Sequence, residues 1–151
     1  MLFRSALWNG HIVSGGSTLT MQVARLLEPR PARSFGDKAA EMMRALQIEQ
    51  HLGKAQILDL YLALAPYGGN IEGTRAASLA YFGKEPRRLS TAEAALLVAL
   101  PQSPETRRPD RQAKAAMAAR NRVVARLTKD GIINSDQADA AVIEADRKSV
   151  V

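Results

Sequence analysis

The chain has 151 residues, a formal net charge of +6 and no cysteine; 46% of it is apolar and only 5% aromatic. That length can bury one real core, and the missing cysteine excludes disulfides and thiolate metal sites. The excess of arginine favours anionic partners (phosphates, nucleic acid or an acidic lipid surface) without selecting among them, while alanine and leucine point to an all-α fold.

The chain opens on Met1-Leu2-Phe3-Arg4-Ser5 and closes on Asp146-Arg147-Lys148-Ser149-Val150-Val151. Neither stretch fits the helical pattern of the rest. Both resemble translations of a common short-read sequencing adapter, forward at the start and reverse-complemented at the end. There the adapter reading meets a stop codon just after Val151. The expected division is an artefact over residues 1–5, native sequence over 6–145 and an artefact over 146–151. Encoding codons that do not spell the adapter refute it.

In the native part, Gly15-Gly16-Ser17-Thr18 feeds a helix predicted over Leu19 to Leu27. The glycines permit a tight turn, and Ser17 or Thr18 supplies the N-cap. At about 100° per residue, Thr18, Gln22 and Arg25 fall within roughly one-sixth of the circumference. Leu19, Val23, Leu26 and Leu27 form a separate apolar stripe. Free N–H groups, hydroxyls and an arginine one turn on suit a phosphate-bearing ligand. The same pattern also describes an ordinary capped amphipathic helix.

Further helices are expected in chain order. Glu28-Pro29-Arg30-Pro31 stops the first. The second begins near Asp37 as N-cap and runs to about Leu52, with Gly53 as C-cap. The third spans Lys54 to Leu64 and ends at Pro66-Tyr67-Gly68-Gly69-Asn70. A short helix from about Thr74 to Tyr81 stops at Gly83. Ser90-Thr91-Ala92-Glu93 is a capping box opening a helix that Pro101 ends. After a proline-punctuated loop to Pro109, a basic helix covers Arg111 to Lys129, and a final one starts near Ser135. No strand is expected, because period-2 alternation is absent. The longest apolar run, Ala94 to Leu100, is far short of a bilayer span, and no signal peptide is visible at Met1.

On the second helix Lys38, Glu41, Ala45 and Glu49 share one face within roughly 80°. Met42 and Leu52 flank it, so partial burial is expected. A lysine beside two carboxylates can stabilise a leaving phosphate or tune an acid. It can equally be an (i, i+3) Lys38–Glu41 pair worth a few tenths of a kcal/mol.

The order of these features narrows the choice. Gly15-Gly16-Ser17-Thr18-x-Thr20-x-Gln22-x-x-Arg25 precedes Lys38-x-x-Glu41-x-x-x-Ala45-x-x-x-Glu49, then Tyr61-Leu62 and Tyr67-Gly68-Gly69. Tyr81-Phe82-Gly83-Lys84, Leu89-Ser90-x-x-Glu93 and Pro101-Gln102-Ser103-Pro104 follow. Over about Leu7 to Ala145 this series resembles the peptidoglycan glycosyltransferase domain (glycosyltransferase family 51) of class A penicillin-binding proteins. It is most similar to the C-type paralogue of Gram-negative bacteria.

The resemblance implies an all-α, lysozyme-like fold, incomplete at its N-terminus. It implies polymerisation of lipid II into glycan strands with loss of polyprenyl pyrophosphate, at the periplasmic face of the inner membrane. The growing strand is then a second partner, and the membrane is reached through an N-terminal anchor outside this chain. No cofactor is required, although a divalent cation at the diphosphate is compatible with the chemistry. Family members carry the general-base glutamate in a motif upstream of the Gly-Gly-Ser-Thr turn, which nothing before Gly15 resembles. The chain alone is therefore expected to be inactive, and to leave an apolar flank uncovered.

By the same resemblance Ser17, Thr18 and Gln22 bind substrate, and Arg25, Lys38 and Glu41 are the catalytic candidates. Arg25 and Lys38 would offset diphosphate charge, and Glu41 would position them or hold a metal ion or water there. Glu49, Tyr61 and Glu93 match the pattern but are assigned to structural hydrogen bonding. Asp37 stands where many relatives carry arginine, and Ala63 replaces a usual asparagine. Two other readings remain. A lytic enzyme would use paired carboxylates, yet Glu41 and Glu49 lie about 12 Å apart along one helix. A nucleic-acid-binding module would rest on Arg111, Lys114, Arg120, Arg122 and Arg126, which spread around their helix without interleaved aromatics.

Overall fold

The computed structural model describes residues 18–29 and 35–148, with side chains over 18–29 and 36–143. Gly15, Gly16, Ser17, the N-terminal boundary near Ala6 and residues 149–151 lie outside the described residues. Among the described residues seven α-helices and one short hairpin follow one another, so the all-α expectation holds. The chain divides into two compact units, Met1–Tyr61 and Leu62–Val151.

In the first unit, α1 spans Leu19–Leu27 and packs on α2, Phe35–His51. Thr18 is extended (φ −71°, ψ 165°), and its Oγ1 accepts the Met21 N–H at 3.2 Å. Thr18 is thus the cap, satisfying one of the orphan donors of the first turn. Thr18, Gln22 and Arg25 are exposed, as their shared face implies. The buried stripe differs from the expected one. It consists of Thr20, Met21, Val23 and Ala24, while Leu27 is 49% exposed. Short side chains at Thr20 and Ala24, opposite a helix whose Ala45 is also buried, let the two backbones approach.

α2 starts two residues before the expected cap, so Asp37 sits in its first turn, where a carboxylate complements the helix dipole. The expected partial burial of the Lys38–Glu41–Ala45 face holds, with Ala45 buried and Glu41 largely covered, but the flanking Met42 is itself exposed, with Met43 and Leu46. Gly53 is not the left-handed C-cap of α2. It heads α3, Lys54–Leu64, with its carbonyl accepting from the Ile57 N–H at 3.0 Å. Gln56 Oε1 accepts the Gly53 N–H at 2.9 Å, half of a capping box.

The second unit contains the feature that periodicity missed, an antiparallel hairpin of β1, Pro66–Gly68, and β2, Ile71–Glu72. Strands of three and two residues are too short to alternate visibly. The turn depends on Gly68 and Gly69 at φ 109° and 59°. α4 (Thr74–Phe82) ends at Gly83 in the left-handed region, one residue past the expected Tyr81. α5 (Thr91–Ala99) opens on the predicted capping box: Ser90 Oγ accepts from the Glu93 N–H, and Glu93 Oε2 accepts from the Ser90 N–H at 2.9 Å. Pro101 follows in a 3₁₀ turn, Leu100–Gln102.

α6 (Ala113–Lys129) and α7 (Ser135–Lys148) complete the unit. Ala92, Ala95, Val124 and Ala141 form its core, with Val123, Ile133 and Ala138 packed against it. α7 includes Asp146, Arg147 and Lys148, which the sequence pattern places outside the helix. The basic residues proposed for groove binding are dispersed. Arg111 precedes α6, Arg120 is buried and donates to Asn121 Oδ1, and Arg126 lies 3.9 Å from Asp130.

Candidate functional site

The site residues that the structure describes meet on the first unit. Arg25, near the end of α1, donates from Nε to Glu41 Oε1 at 2.7 Å. Lys38, one turn before Glu41 on α2, donates from Nζ to Glu41 Oε2 at 2.7 Å. One carboxylate therefore holds two cations, one on each oxygen. The side chain of Glu41 is 10% exposed, against 54% for Arg25 and 42% for Lys38. The cations thus remain in reach of solvent while the anion between them is covered.

The arrangement contains the (i, i+3) pair expected on α2 and adds a second cation to it. An ordinary (i, i+3) pair accounts for Lys38 and one oxygen of Glu41. It leaves the second oxygen unexplained, and that oxygen receives an arginine from another helix. Burial pushes the Glu41 carboxyl upward, but hydrogen bonds from Lys38 and Arg25, with their charges, outweigh it and hold the group below its ordinary value. Glu41 is accordingly an ionised clamp and a poor proton acceptor. Arg25 lies on the same exposed face of α1 as Thr18 and Gln22. Arg25 binds Glu41 through Nε, which leaves the N–H groups of Nη1 and Nη2 outside that bond. Ser17 lies outside the described residues.

Two further ties between α1 and α2 were not anticipated as part of the site. Thr20 Oγ1 donates to Glu49 Oε1 at 2.6 Å, and Arg44 binds the Glu28 carboxylate, with Nε at 2.7 Å. The signal for the first was present: Thr20 is polar yet lies away from the Thr18–Gln22–Arg25 face. The structural assignment of Glu49 agrees with its bond to Thr20, and that of Glu93 with its bonds to Lys84 Nζ at 2.8 and 3.0 Å.

Residues 2–128 match the family model described as Transglycosylase. The chain belongs to the transglycosylase family. Penicillin-binding protein 1C of Escherichia coli is 53% identical over 131 residues, which is 87% of this chain and 17% of that protein. A biosynthetic peptidoglycan transglycosylase of Shewanella frigidimarina is 43% identical over 102 residues, 68% of this chain and 45% of that one. The crystal structure of penicillin-binding protein 1A from Haemophilus influenzae superposes with a TM-score of 0.57 at 25% identity. It covers 83% of this chain and 16% of that chain. The chain thus carries the lysozyme-like transglycosylase fold and spans about one-sixth of the length of the penicillin-binding relatives it matches. Among the described residues, no helix is long and apolar enough to cross a membrane.

Proposed function

We propose that the protein carrying this transglycosylase domain polymerises lipid II into glycan strands at the periplasmic face of the bacterial inner membrane. The convergence of Arg25 and Lys38 on the two oxygens of Glu41 is the observation that carries this reading. A hydroxyl of the acceptor sugar attacks the anomeric carbon of the donor. The bond from that carbon to the diphosphate oxygen breaks, and its electron pair leaves with polyprenyl pyrophosphate. Negative charge grows on the departing diphosphate, where Arg25 and Lys38, already oriented by Glu41, stabilise it without reorganising. Thr18 and Gln22 line the same face and hold the precursor. Ser17 joins them on the family pattern.

Glu41 acts by holding the cations in place, and proton abstraction from the attacking hydroxyl falls to another group. The reading needs no bound cofactor, since the two cations supply the required charge. A lytic reaction would instead need a protonated acid beside the sugar bond. Glu41 is held ionised, and Glu49 is engaged with Thr20.

The test is extension of fluorescent lipid II by the intact protein, resolved as a ladder of glycan lengths. Chain growth that drops sharply in Arg25→Ala and Lys38→Ala supports the assignment. Release of soluble muropeptides from sacculi without chain growth would overturn it.

A further inference from the structure

The hydroxyl of Thr20 is buried at 6% exposure and reaches Glu49, eight residues along α2 from Glu41, or about 12 Å. Thr20 stands near the start of α1 and Glu49 near the end of α2. Arg25 stands near the end of α1 and Glu41 in the first half of α2. The helices therefore run antiparallel, pinned at two places. Between these pins lie Val23, Ala24 and Ala45, all buried and all small or unbranched enough to tolerate sliding. Apolar packing is non-directional and does not by itself choose among neighbouring registers. A slip of one residue would move Arg25 by about 1.5 Å along α1 and swing it about 100° around the axis.

We propose that the Thr20–Glu49 hydrogen bond sets the register of α1 on α2, making Thr20 a positioning residue for the Arg25–Glu41–Lys38 clamp. The proposal rests on the diphosphate reading only for its consequence in turnover. A short O–H to carboxylate bond is charge-assisted and tolerates little displacement, and the donor of this one is buried. Another described tie, Glu28–Arg44, joins side chains 38% and 48% exposed. Exposed pairs of that kind are soft. Thr20 supplies a directional contact from a buried side chain.

The test has two arms. In this chain, carbonyl-carbon NMR follows the titration of Glu41 in wild type, Thr20→Val, Thr20→Ser and Glu49→Ala. Valine keeps the buried shape of threonine, and Glu49 is exposed, so either variant removes the bond without opening the core. The expected result is that Glu41 titrates below the ordinary glutamate range in wild type and Thr20→Ser. It should rise toward that range in Thr20→Val and Glu49→Ala. In the intact protein, Thr20→Val should lower kcat by up to about 10²-fold with KM within about twofold, because misplacement by an ångström or so costs that order in rate. Thr20→Ser should restore it.

Unchanged Glu41 titration in both bond-breaking variants would overturn the register proposal. So would full turnover in Thr20→Val where Arg25→Ala is impaired. If the titration shifts while Arg25→Ala turns over lipid II normally, the register role stands and the diphosphate reading fails.

Discussion

Arg25 and Glu41 lie sixteen residues apart on different helices, yet Nε and Oε1 meet at 2.7 Å. The Lys38 ammonium occupies the other oxygen at the same distance. The consequence is an ion cluster whose anion is covered and whose cations face solvent. That is the polarity needed to receive a diphosphate.

Arg25→Ala and Lys38→Ala in the intact protein should each slow glycan synthesis by about 10²-fold, the usual cost of removing one preorganised donor to a developing anion. Their melting temperatures should fall little, since both cations are about half exposed and Glu41 keeps the other one as a partner. Activity assays beside thermal melts check both. A large drop in melting temperature with unchanged specific activity would make the residues structural.

The lowered Glu41 carboxyl carries a pH signature. Burial raises it, and the Lys38 and Arg25 hydrogen bonds and charges lower it by more. A carboxyl depressed on folding adds stability above its unfolded value, and that stability disappears as pH falls through the folded value. Glu41→Gln should therefore lose stability at neutral pH and show a flatter acid limb than wild type. Urea unfolding at neutral and acid pH measures this. Parallel pH profiles for the two proteins would contradict it.

Gly73 and Gly83 both have positive φ, 83° and 64°, but only Gly73 faces backbone. A Cβ on Gly73 would stand 2.7 Å from the Ala63 carbonyl oxygen, whereas nothing lies within 4 Å at Gly83. Gly83→Ala should cost about 1 kcal/mol from its left-handed backbone alone. Gly73→Ala should cost about 3 kcal/mol, because the hairpin must also shift. Equal losses in chemical denaturation would refute this account of the turn.

Glu93 is buried at 6% exposure and accepts from Lys84 Nζ and the Ser90 N–H. Glu93→Ala leaves both donors without that acceptor and should destabilise the fold by about 2 kcal/mol or more. Turnover per folded molecule should be unaffected. A variant that is stable but inactive would place Glu93 in the chemistry instead.

Local signals carried much of this protein. Thr18 as a cap, the Ser90–Glu93 capping box, the stop at Gly83 and the Lys38–Glu41 spacing all depend on residues within one helical turn, and the structure reproduces them. The β1–β2 hairpin escaped because strands of three and two residues have no measurable period. Gly53 differs from its expected C-cap role because a glycine between two helices serves equally as a C-cap or an N-cap, and only the hydrogen bonds distinguish them.

Composition and spacing thus dictated the helices, their caps and the polar face of α1, since each follows from interactions between neighbours in the chain. The ordered motifs also specified the family. Which face of α1 is buried, how Thr20 meets Glu49, and why one carboxylate binds both Arg25 and Lys38 came from folding. Those features depend on the register between two helices, and no local pattern encodes a distance between residues that become neighbours only when the helices pack.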